Sequence, residues 1–231
     1  MAEVDTFMAG QSLLSRLFYK FFRGLVVFVS TSYTRTTIIG KENIPKTGAF
    51  LLAPVHRSNI DTPLAAAVTT RRMRFMGKDT IWKFGPIGWI ISALGAFPVS
   101  RGTADREALR RCVAVLEAGE PLVLFPEGTR QSGPVVHPLF DGATYVAAKA
   151  GVPIIPVGIG GSERVMPKGS KMIYPRKCVI IVGSPIHTVM NGSDRMPRSA
   201  LKELSRNLSD ELQRLFDEAQ RLAGSPNITD S

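Results

Sequence analysis

Between residues 34 and 182, short apolar runs alternate with stretches of helical spacing, and this alternation limits the possible folds more than any other feature of the chain. Runs of strand length and composition occupy 34–39, 49–53, 74–76, 96–99, 122–125, 154–158 and 178–182. Leu109, Val113 and Leu116 repeat at helical spacing within 104–118, which Gly119 stops. Residues 142–150 form a second such stretch, stopped by Gly151. Alternation of this kind predicts the α/β class: a single domain whose mixed, largely parallel sheet is covered by helices. With 231 residues and 44% hydrophobic content, the chain is long and apolar enough for one sizeable core.

The two ends read differently. Residues 199–222 carry Leu201, Leu204, Leu208, Leu212, Leu215, Ala219 and Leu222 at helical spacing, a pattern expected to pack on the core. Gly192, Ser193 and Pro197 mark the linker before that helix, and a loose tail is expected from Gly224. The N-terminal stretch lacks the basic start, long apolar run and small-residue cleavage site of a signal peptide. Within it, 12–30 has the spacing of an amphipathic helix: Leu14, Phe18, Phe21 and Leu25 on one face, Arg16, Lys20 and Arg23 opposite. Its uncharged end, 24–30, falls far short of the roughly 20 residues that span a bilayer. A basic helix with Phe and Leu opposite suits a membrane interface. A helix packed on the core with its basic side in water has the same pattern. The expected organisation is an N-terminal amphipathic membrane-contacting segment 1–33, a domain 34–223 and a tail 224–231.

The chemistry concentrates after the run 49–53, in Val55-His56-Arg57-Ser58-Asn59-Ile60-Asp61. A carboxylate that accepts a proton from one imidazole nitrogen fixes the tautomer, leaving the other nitrogen as a base near neutral pH. On one straight helix, residues five apart lie ~140° and ~7.5 Å from each other. The pair therefore calls for a turn. Asp61-Thr62-Pro63 reads as a helix start, which puts His56 in the turn after the strand, looking back at Asp61. An Asp that only caps its helix, beside an ordinary loop histidine, fits the same spacing. No G-x-S-x-G elbow surrounds Ser58, so a base here would serve a substrate hydroxyl rather than an enzyme nucleophile.

Three further stretches follow: Gly95-Ala96-Phe97-Pro98-Val99-Ser100-Arg101, Phe125-Pro126-Glu127-Gly128-Thr129-Arg130 and Val152-Pro153-Ile154-Ile155-Pro156-Val157. Glu127 and Arg130 come after a strand, where open α/β sheets place their sites. Arg101 likewise closes a strand, and an arginine fork suits phosphate oxygens. With its four stretches in this order, the chain resembles the glycerolipid acyltransferase family, most nearly the bacterial 1-acyl-sn-glycerol-3-phosphate acyltransferases. The resemblance runs from about Gly40 to about Pro185. It implies that His56 is the base and Asp61 its partner. It also implies that Arg101 and Arg130 hold the acceptor phosphate, that Glu127, Gly128 and Thr129 shape the acceptor site, and that Lys78 occupies a basic position before the second motif. Val55, Gln131 and the acid of Phe140-Asp141-Gly142 depart from the family pattern, and none of them removes a catalytic group.

An uncharged stretch, 84–99, is broken by Gly85, Pro86, Gly88 and Gly95 and is too short to span a membrane. Trp82, Phe84, Gly88, Trp89, Ala93 and Phe97 make it the candidate wall of an acyl channel; a buried core helix fits equally well.

The net charge of +10 calls for anionic partners: an acidic lipid surface, a phosphorylated substrate, CoA phosphates or nucleic acid. Nucleic acid is set aside because no zinc pattern, RNP-type aromatic signature or recognition-helix motif occurs. Cys112 and Cys178 are expected to be reduced and buried. His137 and His187 are isolated, and no metal-ligand spacing occurs. The resemblance implies transfer of a fatty acyl group from acyl-CoA or acyl carrier protein, as co-substrate, to lysophosphatidic acid, giving phosphatidic acid without a bound cofactor. It places the protein peripherally at the cytoplasmic face of the cell membrane. The same chemistry on glycerol-3-phosphate or another lysophospholipid, or a non-catalytic basic membrane-binding module, are the alternatives.

Overall fold

A computed structural model describes residues 13–78, 91–92, 94–99, 106–167, 169–170, 172–188 and 197–227. Among them, helices α1 (Leu13–Tyr33), α2 (Asp61–Ala66), α3 (Arg106–Glu117), α4 (Gly142–Ala150), α5 (Ser162–Val165) and α6 (Arg198–Leu222) flank a sheet. Its strands are β1 (Thr37–Ile39), β2 (Leu51–Pro54), β3 (Arg74–Lys78), β4 (Ala96–Val99), β5 (Leu122–Val123), β6 (Ile154–Gly160) and β7 (Val179–Val182). The order is β1-β7-β6-β2-β5-β3-β4. Every neighbouring pair is parallel except β6 and β7, which run antiparallel. The expected mixed, largely parallel α/β sheet is therefore present.

Strand composition follows position. β2 and β6 lie in the middle of the sheet and every residue of both is buried, so they read as continuous apolar runs rather than alternating ones. α6 packs across β6 and β7 through Leu204, Leu208, Leu212, Leu215 and Ala219. Its close approach requires glycine in β6. A Cβ on Gly158 would meet the Leu215 carbonyl oxygen at 2.3 Å, and one on Gly160 the Ala219 carbonyl oxygen at 2.2 Å. Both thiols, Cys112 and Cys178, are free and buried.

Of the boundaries that differ from the sequence reading, three have a visible cause. β1 starts at Thr37 rather than 34, because Arg35 takes a left-handed φ of 46° that interrupts an extended run. β5 ends at Val123 rather than 125, where the chain turns towards Pro126. β6 continues to Gly160, where it pairs with Val179 of β7.

The N-terminal helix inverts a simple expectation. Its polar residue Arg23 faces the protein and donates to the carbonyls of Ala66, the last residue of α2, and of Thr69 three positions beyond it. Tyr19 is buried beside it, under the Arg72 guanidinium. The outward face instead carries Leu17, Phe21, Leu25, Phe28 and Val29, with Phe21 66% and Phe28 68% exposed. Of the expected stripe, Phe21 and Leu25 thus face outward, and of the expected basic side Arg23 turns inward while Lys20 stays exposed.

Candidate active site

β2, β5, β3 and β4 are parallel neighbours, so their carboxyl ends share one edge of the sheet. The residues singled out in the sequence follow those ends: His56 after β2, Glu127 to Arg130 after β5, and Lys78 as the last residue of β3. Arg101, two positions beyond β4, lies outside the described residues, as do Trp82, Phe84, Gly88, Trp89 and Ala93.

The turn after β2 folds around one carboxylate. Asp61 is fully buried. Its Oδ2 accepts the backbone N–H groups of Arg57 and Ser58, each at 2.6 Å, and stands 3.1 Å from Nδ1 of His56. Asp61 thus does not cap its own helix. α2 begins at Asp61, and Ile60 before it supplies no side-chain cap. The carboxylate closes the preceding turn instead, and that turn brings together two side chains that a straight helix would hold apart. With Nδ1 facing a carboxylate, Nε2 is the nitrogen left to act as a base.

A second buried carboxylate holds the histidine's backbone. Glu127 is 1% exposed. Its Oε2 accepts the His56 N–H (3.0 Å) and Arg57 Nη1 (2.8 Å), and its Oε1 accepts Arg57 Nη1 (2.9 Å) and the His137 N–H (3.0 Å). The His56 carbonyl accepts the Gln131 N–H at 2.8 Å. Phe125 stacks on the imidazole with ring centroids 4.0 Å apart. The Arg57 guanidinium donates to the Val135 carbonyl and lies 4.7 Å from the centroid of Phe216 on α6. The loop after β5 also needs glycine: Gly128 has φ +70°, and a Cβ there would meet the Phe140 ring at 2.7 Å.

His56 opens on a cavity of about 530 Å³. Its lining combines polar residues, among them Arg23, Arg130, Asn59 and Thr62, with apolar ones, Val26 and Val27 of α1, Phe75 and Met76 of β3, and Ile91 and Leu94.

Several expectations shift. Glu127 does not present its carboxylate to an acceptor; both oxygens are taken by Arg57 and backbone amides, and it acts on the site through His56. Phe97 sits in β4, 2% exposed, within the core, and does not line the cavity. Of the apolar stretch 84–99, the described residues Ile91, Leu94 and Ala96 reach the cavity. The other apolar wall is α1, which the sequence reading assigned only to the membrane or the core. Arg57 and Phe125 were missed altogether. An arginine just after the apolar run 49–55, with an acid, Glu127, just after the apolar run 121–125, was the available signal. Among the described residues, no three His, Cys, Asp or Glu side chains gather as metal ligands would.

Comparison with known proteins places the chain in a family. The chain is 30% identical over 177 residues to a chloroplastic 1-acyl-sn-glycerol-3-phosphate acyltransferase from Brassica napus, an alignment covering 74% of this chain and 51% of the relative. It spans about half the length of that relative and of a similar one from Arabidopsis thaliana. It is 26% identical over 170 residues to the 1-acyl-sn-glycerol-3-phosphate acyltransferase of Bacillus subtilis, covering 73% of this chain and 82% of the relative. The crystal structure of the 1-acyl-sn-glycerophosphate acyltransferase PlsC from Thermotoga maritima superposes with a TM-score of 0.70, at 26% identity, over 87% of this chain and 86% of that one. The Acyltransferase family profile matches residues 35–160, a span that starts before β1, ends with β6 and contains both buried carboxylates; the chain belongs to the Acyltransferase family.

Proposed function

We propose that this chain is an O-acyltransferase that moves a fatty acyl group from acyl-CoA or acyl carrier protein to the free hydroxyl of 1-acyl-sn-glycerol-3-phosphate, making phosphatidic acid. The observation that carries this reading is the 3.1 Å approach of His56 Nδ1 to buried Asp61, with His56 lining a cavity that Arg130 and a set of apolar side chains also line. Nε2 of His56 takes the hydroxyl proton as the acceptor oxygen attacks the thioester carbonyl. The C–O bond forms and the C–S bond breaks. The leaving thiolate takes the proton from the imidazolium, which Asp61 stabilises meanwhile. Arg130 holds the acceptor phosphate, with Arg101 and Lys78 as further candidates from the sequence. Backbone amides at the start of α2, residues 62–64, are candidates to hold the developing oxyanion. Pro63 has no N–H and Leu64 donates to Ile60, so the proposal narrows to the Thr62 N–H.

The outward apolar face of α1 supports a peripheral seat on an anionic membrane surface, at the cytoplasmic face of the cell membrane. Among the described residues, no helix is long and apolar enough to cross a membrane.

The test supplies purified protein with acyl-CoA or acyl carrier protein as donor. The acceptors are glycerol-3-phosphate and both positional isomers of lysophosphatidate, with products read by mass spectrometry. The expected product is phosphatidic acid from the 1-acyl isomer, with one thiol released per acyl group. Acylation of glycerol-3-phosphate alone would move the reading to that acceptor. An absence of acceptor-dependent thiol release would reduce the protein to a non-catalytic membrane-binding module.

A further inference from the structure

The loop between α5 and β7 exposes three consecutive bulky residues: Met172 (62%), Ile173 (50%) and Tyr174 (41%). Single exposed apolar residues are ordinary; three in a row are not. The loop is not a frayed end. The Tyr174 N–H donates to the Val165 carbonyl at 2.8 Å, and Tyr33 Oη donates to the Ile173 carbonyl at 2.9 Å. Tyr33 ends α1 one turn beyond Val29, so the loop is tied to the end of the helix's outward apolar face. At its other end the loop reaches the site: the Met166 carbonyl accepts Ser58 Oγ at 2.9 Å.

Charge says what covers this patch. The sequence 168–177 carries Lys168, Lys171, Arg176 and Lys177, and no acid occurs between Glu163 and Asp194. Arg176 and Lys177 flank the apolar triplet and are exposed. Apolar tips rimmed by cations fit an anionic phospholipid surface, where the tips enter the headgroup boundary and the cations meet lipid phosphates. We propose that Met172, Ile173 and Tyr174 form a second membrane-inserting element beside α1. The proposal rests on the reading of α1 as the membrane-facing helix. A helix alone leaves the protein free to roll about its axis. A second contact beside its end fixes that rotation, and with it the aim of the cavity that α1 walls on its inner side.

The experiment uses the full chain with single cysteines introduced at Ile173, Phe28 or the exposed Lys202 of α6, each labelled with an environment-sensitive dye. The native thiols do not compete: Cys112 and Cys178 are buried, and burial foremost pushes each up to about 12. Vesicles of phosphatidylglycerol and phosphatidylcholine should blue-shift the dyes at 173 and 28 but not at 202. Met172→Ser/Ile173→Ser/Tyr174→Ser should weaken vesicle co-sedimentation about tenfold or more. A shift at 28 without one at 173 would overturn the loop proposal and leave the helix reading standing. No shift at either, in protein that sediments with vesicles, would overturn both. A concentration-dependent shift at 173 without lipid would mean that a second copy of the chain covers the loop, which also overturns the proposal.

Discussion

The turn between β2 and α2 and the outer face of α1 depart from ordinary burial in opposite directions. The turn takes Arg57, Asp61 and Glu127 almost wholly out of water, where charge is expensive, and recovers the cost through a dense set of hydrogen bonds. The helix leaves Phe21 and Phe28 about two-thirds exposed while folding Arg23 inward. A buried polar group and an exposed apolar patch are the two departures that carry information, because neither lowers the energy of an isolated soluble chain. In the turn, the compensation is rigidity around His56. On the helix none is found among the described residues, and the proposed membrane surface would supply it.

The sharpest way to break this contrast is to unpair the buried charges. Glu127→Ala leaves the Arg57 guanidinium buried without its carboxylate, which should cost about 3–5 kcal/mol in chemical denaturation. Arg57→Met combined with Glu127→Leu should regain much of that stability yet stay poor in turnover, because the His56 N–H has lost its acceptor. Full turnover in the double variant would mean that the pair holds the fold but not the histidine. A smaller effect is expected at the rim of the site. Arg130→Ala should slow acylation of a phosphate-bearing acceptor about 10- to 100-fold, the worth of charge-assisted hydrogen bonds. Its effect on a monoacylglycerol should be slight, and equal losses on both acceptors would assign Arg130 to the donor or the fold.

On the helix the contrast predicts loss of binding without loss of stability. Phe21→Ser with Phe28→Ser should weaken vesicle co-sedimentation about tenfold. The same change should alter the denaturation free energy by no more than about 0.5 kcal/mol, as for other surface positions. The smallest expected effect concerns acid stability, away from both regions. Burial by itself would raise the Glu120 pKa, but the Arg74 hydrogen bond and charge, with the Arg72 charge, hold it below the ordinary 4.5. A folded value below the unfolded one means stability that is present above pH 4.5 and lost as pH falls through the folded value. Glu120→Gln should therefore flatten the acid limb of a stability profile below about pH 4.5. The change should be modest, because water screens a side chain that is 37% exposed.

These regions were unequally legible in the sequence. All seven strands overlap the expected runs, and in β2, β5 and β6, where every residue is buried, the continuous apolar composition is a local signal of double-sided burial. The antiparallel β6–β7 pair carried no such signal, since strand direction depends on the connection rather than on the strand. His56 and Asp61 were legible because turn chemistry within seven residues brings them together. Arg57 and Glu127 were not paired in advance: 70 positions separate them, and only the sheet order makes β2 and β5 neighbours. The amphipathic spacing of α1 was legible too, but not which of its faces turns outward. Arg23 reads as a solvated charge until the carbonyl end of α2 is placed beside it.

The central claim is that the buried network exists to hold His56 as a general base. It is tested most directly by thiol release from acyl-CoA in the presence of lysophosphatidate vesicles, comparing the parent with His56→Ala and Asp61→Asn. Each variant should keep the parent's circular dichroism and vesicle binding while losing turnover on the order of 10²–10⁴-fold. Turnover near the parent's in folded, vesicle-bound His56→Ala would contradict the claim.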